Sequence, residues 1–212
     1  MHFNTFIHNI PKINESELGG LQVQFKLAPE YRKQYTLTDI QKNKPREAAV
    51  LVLFFPDKDH QTSFILTERA SYEGHHAGQI SFPGGKKSHT DTSLQKTALR
   101  ETFEEIGVKV PEKKVIKKLT QVYIPPSNFI VTPYIGFIDR RPVFQTNYEV
   151  KQVITPLLIS LLDSNSIKTR WIPSVSGKRH RTPYFSLQNK IVWGATAMIL
   201  SEVIDLLKKV NC

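Results

Sequence analysis

The amino-acid sequence predicts an α/β protein in which helices cover a mixed β-sheet. Three segments support this prediction: an almost continuous apolar run at 48–55, an amphipathic stretch at 93–106, and a second amphipathic stretch at 194–210. The chain has 212 residues, of which 40% are hydrophobic and 23% charged, as is usual for a globular domain. Predicted strands and helices interleave without a regular repeat, which favours a mixed sheet over a regular parallel βαβ winding.

The beginning of the chain divides into a polar segment and a predicted β-hairpin. Residues 1–44 are polar with weak helical patterning, and we expect them to form an amino-terminal extension that packs on a domain comprising residues 45–212. The run AAVLVLFF, at 48–55, has the length and composition of a buried strand. Because QTSFILTER follows a turn at 56–59, the two segments predict a hairpin in the sheet core.

The segment 93–106 gives the clearest helix prediction. Its apolar residues recur at helical spacing, and Leu99, Phe103 and Ile106 are expected to face the core. An aspartate, a threonine and a serine at its start can each cap the first turn, and Gly107 suits the left-handed conformation just past its end.

The second half of the chain predicts further strands and two helices. Strand patterns separated by prolines occur at 115–126 and 129–139, and strand character returns at 182–193. A short helix is expected near 156–162, and an amphipathic helix with two lysines in its last turns closes the chain. Three aromatic side chains are expected to pack in the core or at its edge unless they line a pocket: Trp171, Phe185 and Trp193.

Positive charge is concentrated in the second half of the chain. The net charge is +10; residues 1–110 hold 14 Lys and Arg against 13 Asp and Glu, whereas residues 111–212 hold 15 against 6. Such a field attracts nucleic acid, anionic lipid or a phosphorylated small molecule, or it only keeps the surface soluble. Because no nucleic-acid-binding motif is visible and the basic residues are not interleaved with aromatic ones, we expect no nucleic-acid partner.

The sequence shows no features of export or membrane insertion. No apolar run approaches the roughly 20 residues that cross a bilayer, so no membrane-spanning segment is expected. The amino terminus lacks the basic and apolar regions of a secretory signal. Cys212 is the one cysteine, which excludes an intrachain disulfide and a thiolate metal cluster. These features predict a cytoplasmic protein and leave its oligomeric state open.

Three glutamates lie close together near the end of the predicted central helix. Glu101, Glu104 and Glu105 are separated by three and four residues, so they project to one side of the helix. Like charges at this spacing destabilise a helix by a few tenths of a kcal/mol each, which makes a neutralising cation favourable. Carboxylate oxygens suit Mg²⁺ or Mn²⁺. The alternative is an acidic helix face that is solvated by water.

A glycine pair upstream of this helix strengthens the metal-site hypothesis. Gly84 and Gly85 follow a Phe-Pro pair, and glycines let the main chain approach a ligand closely. The whole segment GGKKSHTDTSLQKTALRETFEEIGV closely resembles the Nudix box. It departs from that pattern in two ways. Asp91 stands in the acidic position with one extra residue before Arg100, and Thr102 occupies a position that is usually larger and apolar.

Residues outside the box resemble the coenzyme A pyrophosphatase branch of the Nudix hydrolases. The matching residues are LTERA at 66–70, Gly78 and FPGG at 82–85, followed by YIPPSNFIVTPYIGFI, NYEV and WGATAMIL, so the resemblance covers about residues 47–200. Gly74 stands where this branch has a second arginine. This departure leaves ADP-ribose, a dinucleotide or another nucleoside diphosphate derivative as alternative substrates.

The resemblance implies a fold, a reaction and a set of metal ligands. The fold would be an α/β/α sandwich with a mixed sheet between helices, and the reaction would be attack of metal-activated water on a diphosphate. Glu101, Glu104 and Glu105 would hold Mg²⁺ or Mn²⁺. Arg100 would orient these carboxylates or pair with Asp91. The substrate would be coenzyme A or an acyl derivative, split into 3′,5′-ADP and a 4′-phosphopantetheine product.

The resemblance also implies a general base and substrate-binding residues. The base would be a glutamate of the box or Glu149, which otherwise would be an exposed carboxylate at a strand end. Arg69 would bind substrate or form a surface ion pair. Gly84, Gly85 and Phe82 complete the candidate substrate-binding set.

Two further groups of polar residues have alternative interpretations. Basic residues at 168–170 and 178–181 would bind substrate phosphates or belong to a solvated loop. His75 and His76 would contact the substrate or simply lie in a polar loop, and they lack the helical spacing of a zinc pair.

Overall fold

The computed structural model describes residues 1–32, 35, 37–70, 78–173 and 179–210. The α-helices of this described part are α1 (Phe3–Glu15), α2 (Gly20–Gln24), α3 (Leu37–Lys42), α4 (Leu94–Ile106), α5 (Leu158–Leu162) and α6 (Gly194–Lys209). Its strands are β1 (Arg46–Pro56), β2 (Thr62–Phe64), β3 (Leu66–Arg69), β4 (Ile80–Ser81), β5 (Gly84–Lys86), β6 (Val115–Lys118), β7 (Val122–Ile124), β8 (Phe129–Phe137), β9 (Val150–Ile154), β10 (Ile167–Pro173), β11 (Arg179–Leu187) and β12 (Lys190–Trp193). In this part of the chain, no helix combines the length and the apolar character that a membrane crossing requires.

A six-stranded mixed sheet forms the centre of the fold. Its main path runs β2-β1-β8-β6, with β5 paired to β1 and β7 paired to β8. β1 and β8 are parallel over nine residue pairs, whereas β2, β5, β6 and β7 pair antiparallel to their neighbours. The mixed sheet that the sequence predicts is therefore confirmed.

The predicted second strand of the hairpin is divided between two sheets. Phe64 pairs with Phe54 in the central sheet, and two residues later Leu66 pairs with Ile154 of β9. β3 then lies between β4 and β9 in a separate three-stranded sheet, and β10, β11 and β12 form another. This division brings Arg69, the last residue of β3, to the edge of the central sheet near α4.

Helices cover the central sheet on both faces. Because side chains alternate along β1, Val52 and Phe54 pack into a core shared with α1 and α6. Leu51 and Leu53 pack on the opposite face, with Ala98 and other residues of α4. This arrangement confirms the predicted α/β/α sandwich.

A buried glutamate connects the beginning of the chain to the last helix. Glu202 of α6 is fully buried and accepts hydrogen bonds from the backbone N–H of Gly20 (2.9 Å) and of Thr120 (3.0 Å). It also accepts from the Thr120 hydroxyl at 2.6 Å and from Nε2 of Gln24 at 3.1 Å. Phe6 of α1 is likewise completely buried. These contacts join residues of the amino-terminal segment to the sandwich, while the boundary at residue 44 stays a prediction.

Two aromatic residues are not in the core, and for Phe103 this contradicts the prediction. Phe103 is 54% exposed because α4 buries the stripe of Ala98, Thr102 and Ile106, and residue 103 lies about 100° round the helix from Thr102. The Thr102 hydroxyl is satisfied inside the helix by the carbonyl of Ala98 at 2.7 Å. Trp171 is 62% exposed because β10 is an edge strand of its sheet.

Candidate functional site

Helix α4 begins and ends where the sequence predicts. The Ser93 hydroxyl accepts a hydrogen bond from the N–H of Lys96 at 3.2 Å and caps the first turn. Gly107 adopts φ 72°, and its N–H bonds to the carbonyl of Phe103 at 2.8 Å. These two caps fix the length of the helix and hold its carboxylates at one end.

Glu105 is the most enclosed carboxylate of the site. It is 4% exposed, and its Oε2 accepts a hydrogen bond from the N–H of Gly84 at 3.1 Å. Gly84 begins β5 with φ 149°, and a Cβ atom there would overlap the carbonyl oxygen of Ala49 on β1. A glycine is therefore required for the main chain to lie between β1 and the Glu105 carboxylate.

Gly85 leaves room for a second carboxylate. A Cβ atom on Gly85 would overlap Oε2 of Glu101 and would lie 2.8 Å from its Oε1. Burial raises the pKa of Glu101, and the neighbouring charge of Arg100 opposes that rise. The glycine pair thus borders two of the three predicted metal ligands.

Arg100 holds three carboxylates together. Its Nε and Nη2 donate to the two oxygens of Asp91 at 3.0 and 2.8 Å, which is a bidentate pair. Its Nη1 lies 2.8 Å from both Glu101 and Glu104, and Nη2 also donates to the carbonyl of Lys86 at 3.1 Å. The hydrogen bonds from Arg100 hold the pKa of Asp91 well below its usual range. The two roles considered for Arg100 are thus combined in one guanidinium.

Arg69 and Glu149 approach Glu105 from the edge of the sheet. Nη2 of Arg69 donates to Oε2 of Glu149 at 3.3 Å, and Nη1 lies 4.0 Å from Oε1 of Glu105. Burial raises the pKa of Glu105 to about 7; the nearby charges of Glu101 and Glu149 add to this effect, while the Gly84 N–H and Arg69 oppose it. Arg69 is thus in an ion pair, but that pair lies in the candidate site.

The segment that carries Glu149 is bonded to the end of α4. The N–H of Gln145 donates to the carbonyl of Ile106 at 3.0 Å, and the N–H of Asn147 donates to that of Glu105 at 3.1 Å. The side chain of Asn147 then accepts from the N–H of Glu149 at 2.9 Å. Carbonyl groups that have no partner within α4 therefore hold in place the segment that leads to Glu149.

The carboxylate oxygens of the site suit a hard divalent cation, but in this structure arginine side chains neutralise these carboxylates. Among the described residues, no three carboxylate, imidazole or thiolate groups are close enough to bind one ion together. Glu104 is half exposed and paired with Arg100. The carboxylates whose charges raise the pKa of Glu105 are instead Glu101 and Glu149. A divalent cation that prefers oxygen ligands would offset the repulsion between Glu105 and these two carboxylates.

Several candidate residues lie elsewhere. Phe82 was expected to bind substrate, but its side chain is 2% exposed and packs in the core, where it anchors the following glycines. Lys168 and Arg170 lie on β10, and Arg179 and Arg181 on β11. Gly74, His75, His76 and Lys178 lie outside the described residues.

Sequence analysis missed a second charged cluster next to Arg69. Glu68 is buried and accepts from Nζ of Lys151 at 2.9 Å, Nζ of Lys190 at 2.6 Å and Nε2 of Gln152 at 2.8 Å. An irregularity in the β3–β9 pairing next to Glu68 allows the consecutive residues 151 and 152 both to reach it. The sequence does contain a signal for this cluster. Side chains alternate along a strand, so Glu68 and Arg69 of β3 are expected to point to opposite faces of the sheet.

Comparisons with known proteins agree with this fold. A NUDIX domain profile matches residues 45–173. The uncharacterized Nudix hydrolase NudL of Pectobacterium atrosepticum is 35% identical over 169 residues, which cover 76% of this chain and 82% of that protein. The human mitochondrial coenzyme A diphosphatase NUDT8 is 32% identical over 166 residues, 77% of this chain and 70% of the relative. A MutT/nudix family protein from Enterococcus faecalis shares the fold, with a TM-score of 0.57, 17% identity, and coverage of 84% of this chain and 72% of its own. The chain therefore belongs to the Nudix family of hydrolases.

Proposed function

We propose that this Nudix hydrolase splits the diphosphate linkage of coenzyme A or an acyl-coenzyme A. The products would be 3′,5′-ADP and 4′-phosphopantetheine or its acyl derivative. Two observations support this substrate class: the LTERA and FPGG segments around Arg69 and Gly84, and the similarity to a relative that is named as a coenzyme A diphosphatase.

The observation that carries the proposal is the position of Glu105. Its buried carboxylate lies between the N–H of Gly84 and the guanidinium of Arg69, with Glu101 and Glu149 near enough to raise its pKa. A buried carboxylate with partly exposed carboxylates beside it, bordered by an arginine, can hold a metal-bound diphosphate, whose charge both the metal ion and the arginine would neutralise.

Residues of the chain have distinct parts in the proposed reaction. Glu101, Glu104 and Glu105 would hold Mg²⁺ or Mn²⁺, whose charge would polarise phosphoryl oxygens and lower the pKa of bound water. Arg69 would bind a phosphate oxygen. Arg100 would orient Glu101 and Glu104 through the contacts that it already makes.

We further propose that Glu149 accepts the proton of the attacking water. The oxygen of that water forms a bond to one phosphorus, the bridging P–O bond breaks, and the leaving phosphate takes the electron pair. Glu149 is about one third exposed, so it can return the proton to solvent, whereas Glu105 is enclosed. Glu105 is the alternative base, because its pKa of about 7 suits proton transfer near neutral pH.

A substrate panel tests the proposal directly. The purified chain is assayed with coenzyme A, acetyl-coenzyme A, ADP-ribose and a diadenosine polyphosphate, with Mg²⁺, with Mn²⁺ and with EDTA. We expect the highest kcat/KM for a coenzyme A compound and a loss of at least 10²-fold in Glu105→Gln. Glu112→Gln removes an exposed glutamate that pairs with Lys96 and is the matched control.

Other results of the substrate panel would either change the substrate assignment or reject the mechanism. A preference for ADP-ribose or the dinucleotide would replace the coenzyme A assignment while keeping the chemistry. No metal-dependent cleavage of any diphosphate, or unchanged turnover in Glu105→Gln, would reject the proposed mechanism.

We also propose that residues 1–44 are an extension of the catalytic domain; this and the cytoplasmic location stay predictions.

A further inference from the structure

A second cavity lies on the other side of β3 from Arg69. It has a volume of about 370 Å³, which is within the range of small-ligand sites. We call it the hairpin cavity; the lining residues that matter here are Glu68, Gln79, Arg170, Trp171, Lys190 and Trp193. Nothing in the proposed reaction uses these side chains.

Paired strands and a tight turn form the walls of the hairpin cavity. Gln188 and Asn189 have φ values of 47° and 61°, as in the tight two-residue turns that join antiparallel strands, and this turn leads from β11 into Lys190. The opposite wall is β10, which pairs with β11 over seven residue pairs. The cavity is therefore largely formed before a ligand arrives, which favours binding.

Both tryptophans of the chain line the hairpin cavity. Trp171 is 62% exposed, which leaves most of its ring surface uncovered. An exposed indole beside a cavity offers a flat surface on which a nucleic acid base can stack. The cavity thus suits an aromatic, planar ligand group.

The charged residues of the cavity favour an anion. The carboxylate of Glu68 pairs with Lys190 of the lining and with Lys151, which is not a lining residue, so these three groups together carry one positive charge. Arg170 adds a second positive charge on the opposite wall. A phosphate group would gain charge-assisted hydrogen bonds from these side chains.

The cavity adjoins the strand that carries Arg69. The N–H of Arg69 donates to the carbonyl of Gln79 at 3.1 Å, and the N–H of Gly78 donates to the carbonyl of Arg69 at 3.2 Å. Gly78 and Gln79 both line the cavity, so the cavity begins about one strand spacing, roughly 5 Å, from the main chain of Arg69. A group attached to a diphosphate at the end of β3 would therefore lie near its mouth.

We propose that the hairpin cavity binds the adenosine half of the substrate, with the adenine stacked on Trp171 and a ribose phosphate bound by Arg170 and Lys190. This inference rests on the proposed function, since the ribose 3′-phosphate distinguishes coenzyme A from ADP-ribose. The cavity would make the 3′-phosphate a determinant of specificity.

Kinetics with two substrates tests the phosphate contact. We compare coenzyme A with dephospho-coenzyme A, which lacks the 3′-phosphate, and expect the ratio of their kcat/KM values to fall about tenfold in Arg170→Gln. Arg140→Gln, the same change at an exposed arginine outside the cavity, should keep the wild-type ratio. An unchanged ratio in Arg170→Gln would overturn the phosphate contact.

Binding without catalysis separates this inference from the proposed function. The full chain with Glu105→Gln is titrated with 3′,5′-ADP in EDTA, and tryptophan fluorescence and heat are recorded. We expect a saturable fluorescence change, affinity at least about fivefold lower for Trp171→Ala, and recovery of most of that affinity in Trp171→Phe.

Failure of the proposed function and failure of the nucleotide site give different experimental results. If wild type cleaves no coenzyme A but 3′,5′-ADP binds as expected, the proposed function fails and the nucleotide site is retained. If 3′,5′-ADP causes no saturable change, or Trp171→Ala binds it as well as Trp171→Phe does, the nucleotide site is overturned even when coenzyme A is cleaved.

Discussion

Gly85 lies so close to Glu101 that a Cβ atom on residue 85 would overlap the Oε2 atom of that glutamate. The overlap involves the far end of a flexible side chain, so Gly85→Ala should move the carboxylate and spare the fold. Because small displacements of catalytic groups cost up to about 10²-fold in rate, we expect kcat to fall by about that factor while Tm changes little. Steady-state kinetics and a thermal melt measure the two effects.

Gly84→Ala is the matched comparison. Here the added Cβ would lie 2.6 Å from Cα of Val50, and φ 149° disfavours any side chain, so the backbone itself must shift. We expect a loss of about 2 kcal/mol or more in unfolding free energy. If Gly85→Ala lowered Tm as much as Gly84→Ala does, the carboxylate would not be the element that gives way.

The buried charge of Glu105 destabilises the metal-free protein at alkaline pH. Its pKa of about 7 is above the ordinary 4.5, so the stability of the folded state is full below pH 4.5 and is lost as pH rises through 7. Glu105→Gln cannot ionise, and we expect it to be about 3 kcal/mol more stable than wild type at pH 8. Urea unfolding in EDTA at pH 5 and pH 8 measures this difference.

At pH 5, where most of the Glu105 side chain is protonated, Glu105→Gln and wild type should differ little. Glu112→Gln, at an exposed glutamate, should match wild type at both pH values. A Glu105→Gln protein that was less stable than wild type at pH 8 would contradict the burial of this charge.

Asp91 stabilises the loop that precedes α4. It accepts two hydrogen bonds from Arg100, one from the N–H of Ser88 and one from the Thr97 hydroxyl, and it is nearly inaccessible to solvent. Breaking such a pair leaves an unpaired guanidinium, so we expect Asp91→Asn to lose about 2 kcal/mol, allowing for the partial exposure of Arg100. Chemical unfolding at pH 7 measures the loss.

The pH dependence of this loss has a defined direction. Because the pKa of Asp91 is lowered from its ordinary 3.8, its contribution is full above that pH and declines as pH falls further. The gap between wild type and Asp91→Asn should therefore stay constant from pH 7 to 5 and narrow below pH 4. Asp139→Asn, at the exposed partner of Lys114, should lose under about 0.5 kcal/mol.

Glu202 holds the amino-terminal segment against the sandwich. Glu202→Ala leaves the N–H groups of Gly20 and Thr120 and the amide of Gln24 without their acceptor. We expect a loss of about 3 kcal/mol or more and faster hydrogen exchange in residues 3–24. Lys208→Ala, at an exposed position of the same helix, should change neither quantity. Unaltered exchange in residues 3–24 would show that other contacts hold this segment.

If Glu149 is the general base, kcat should depend more on Glu149 than on Glu104. Glu149→Gln should lower kcat by about 10² to 10⁴-fold and leave Tm within a degree or so, because this carboxylate is partly exposed. Glu104 is half exposed, pairs with Arg100, and is not among the carboxylates whose charges raise the pKa of Glu105, so Glu104→Gln should have the smaller effect. A larger loss in Glu104→Gln than in Glu149→Gln would overturn Glu149 as the base and leave Glu105 in that role.

Local sequence signals predicted the elements of the site well. Ser93 and Gly107 define α4 because caps act through neighbouring residues, and the apolar run of β1 identifies the sheet core. The exposure of Phe103 was not predictable in this way, since a polar residue, Thr102, takes the buried position by bonding to its own helix.

Contacts between distant parts of the chain could not be predicted from the sequence. Arg69 and Glu149 are 80 residues apart, and Glu68 and Lys190 are 122 apart. Periodicity describes a single element, and it contains no information on which strand ends meet in space. The resemblance to the Nudix family supplied part of this information for Arg69 and Glu149 and none for Glu68.

The bonds between the end of α4 and the segment 145–147 determine where the chain can change in length. Insertions at residues 139–143 would extend a surface loop, because Phe144 packs against Phe55 and the backbone of Gln145 and Asn147 stays tied to the helix. Deleting one residue between Asn147 and Val150 would instead draw Glu149 away from Arg69 or detach β9 from β3. Loop grafting at this edge of the enzyme therefore has a defined downstream limit at Phe144.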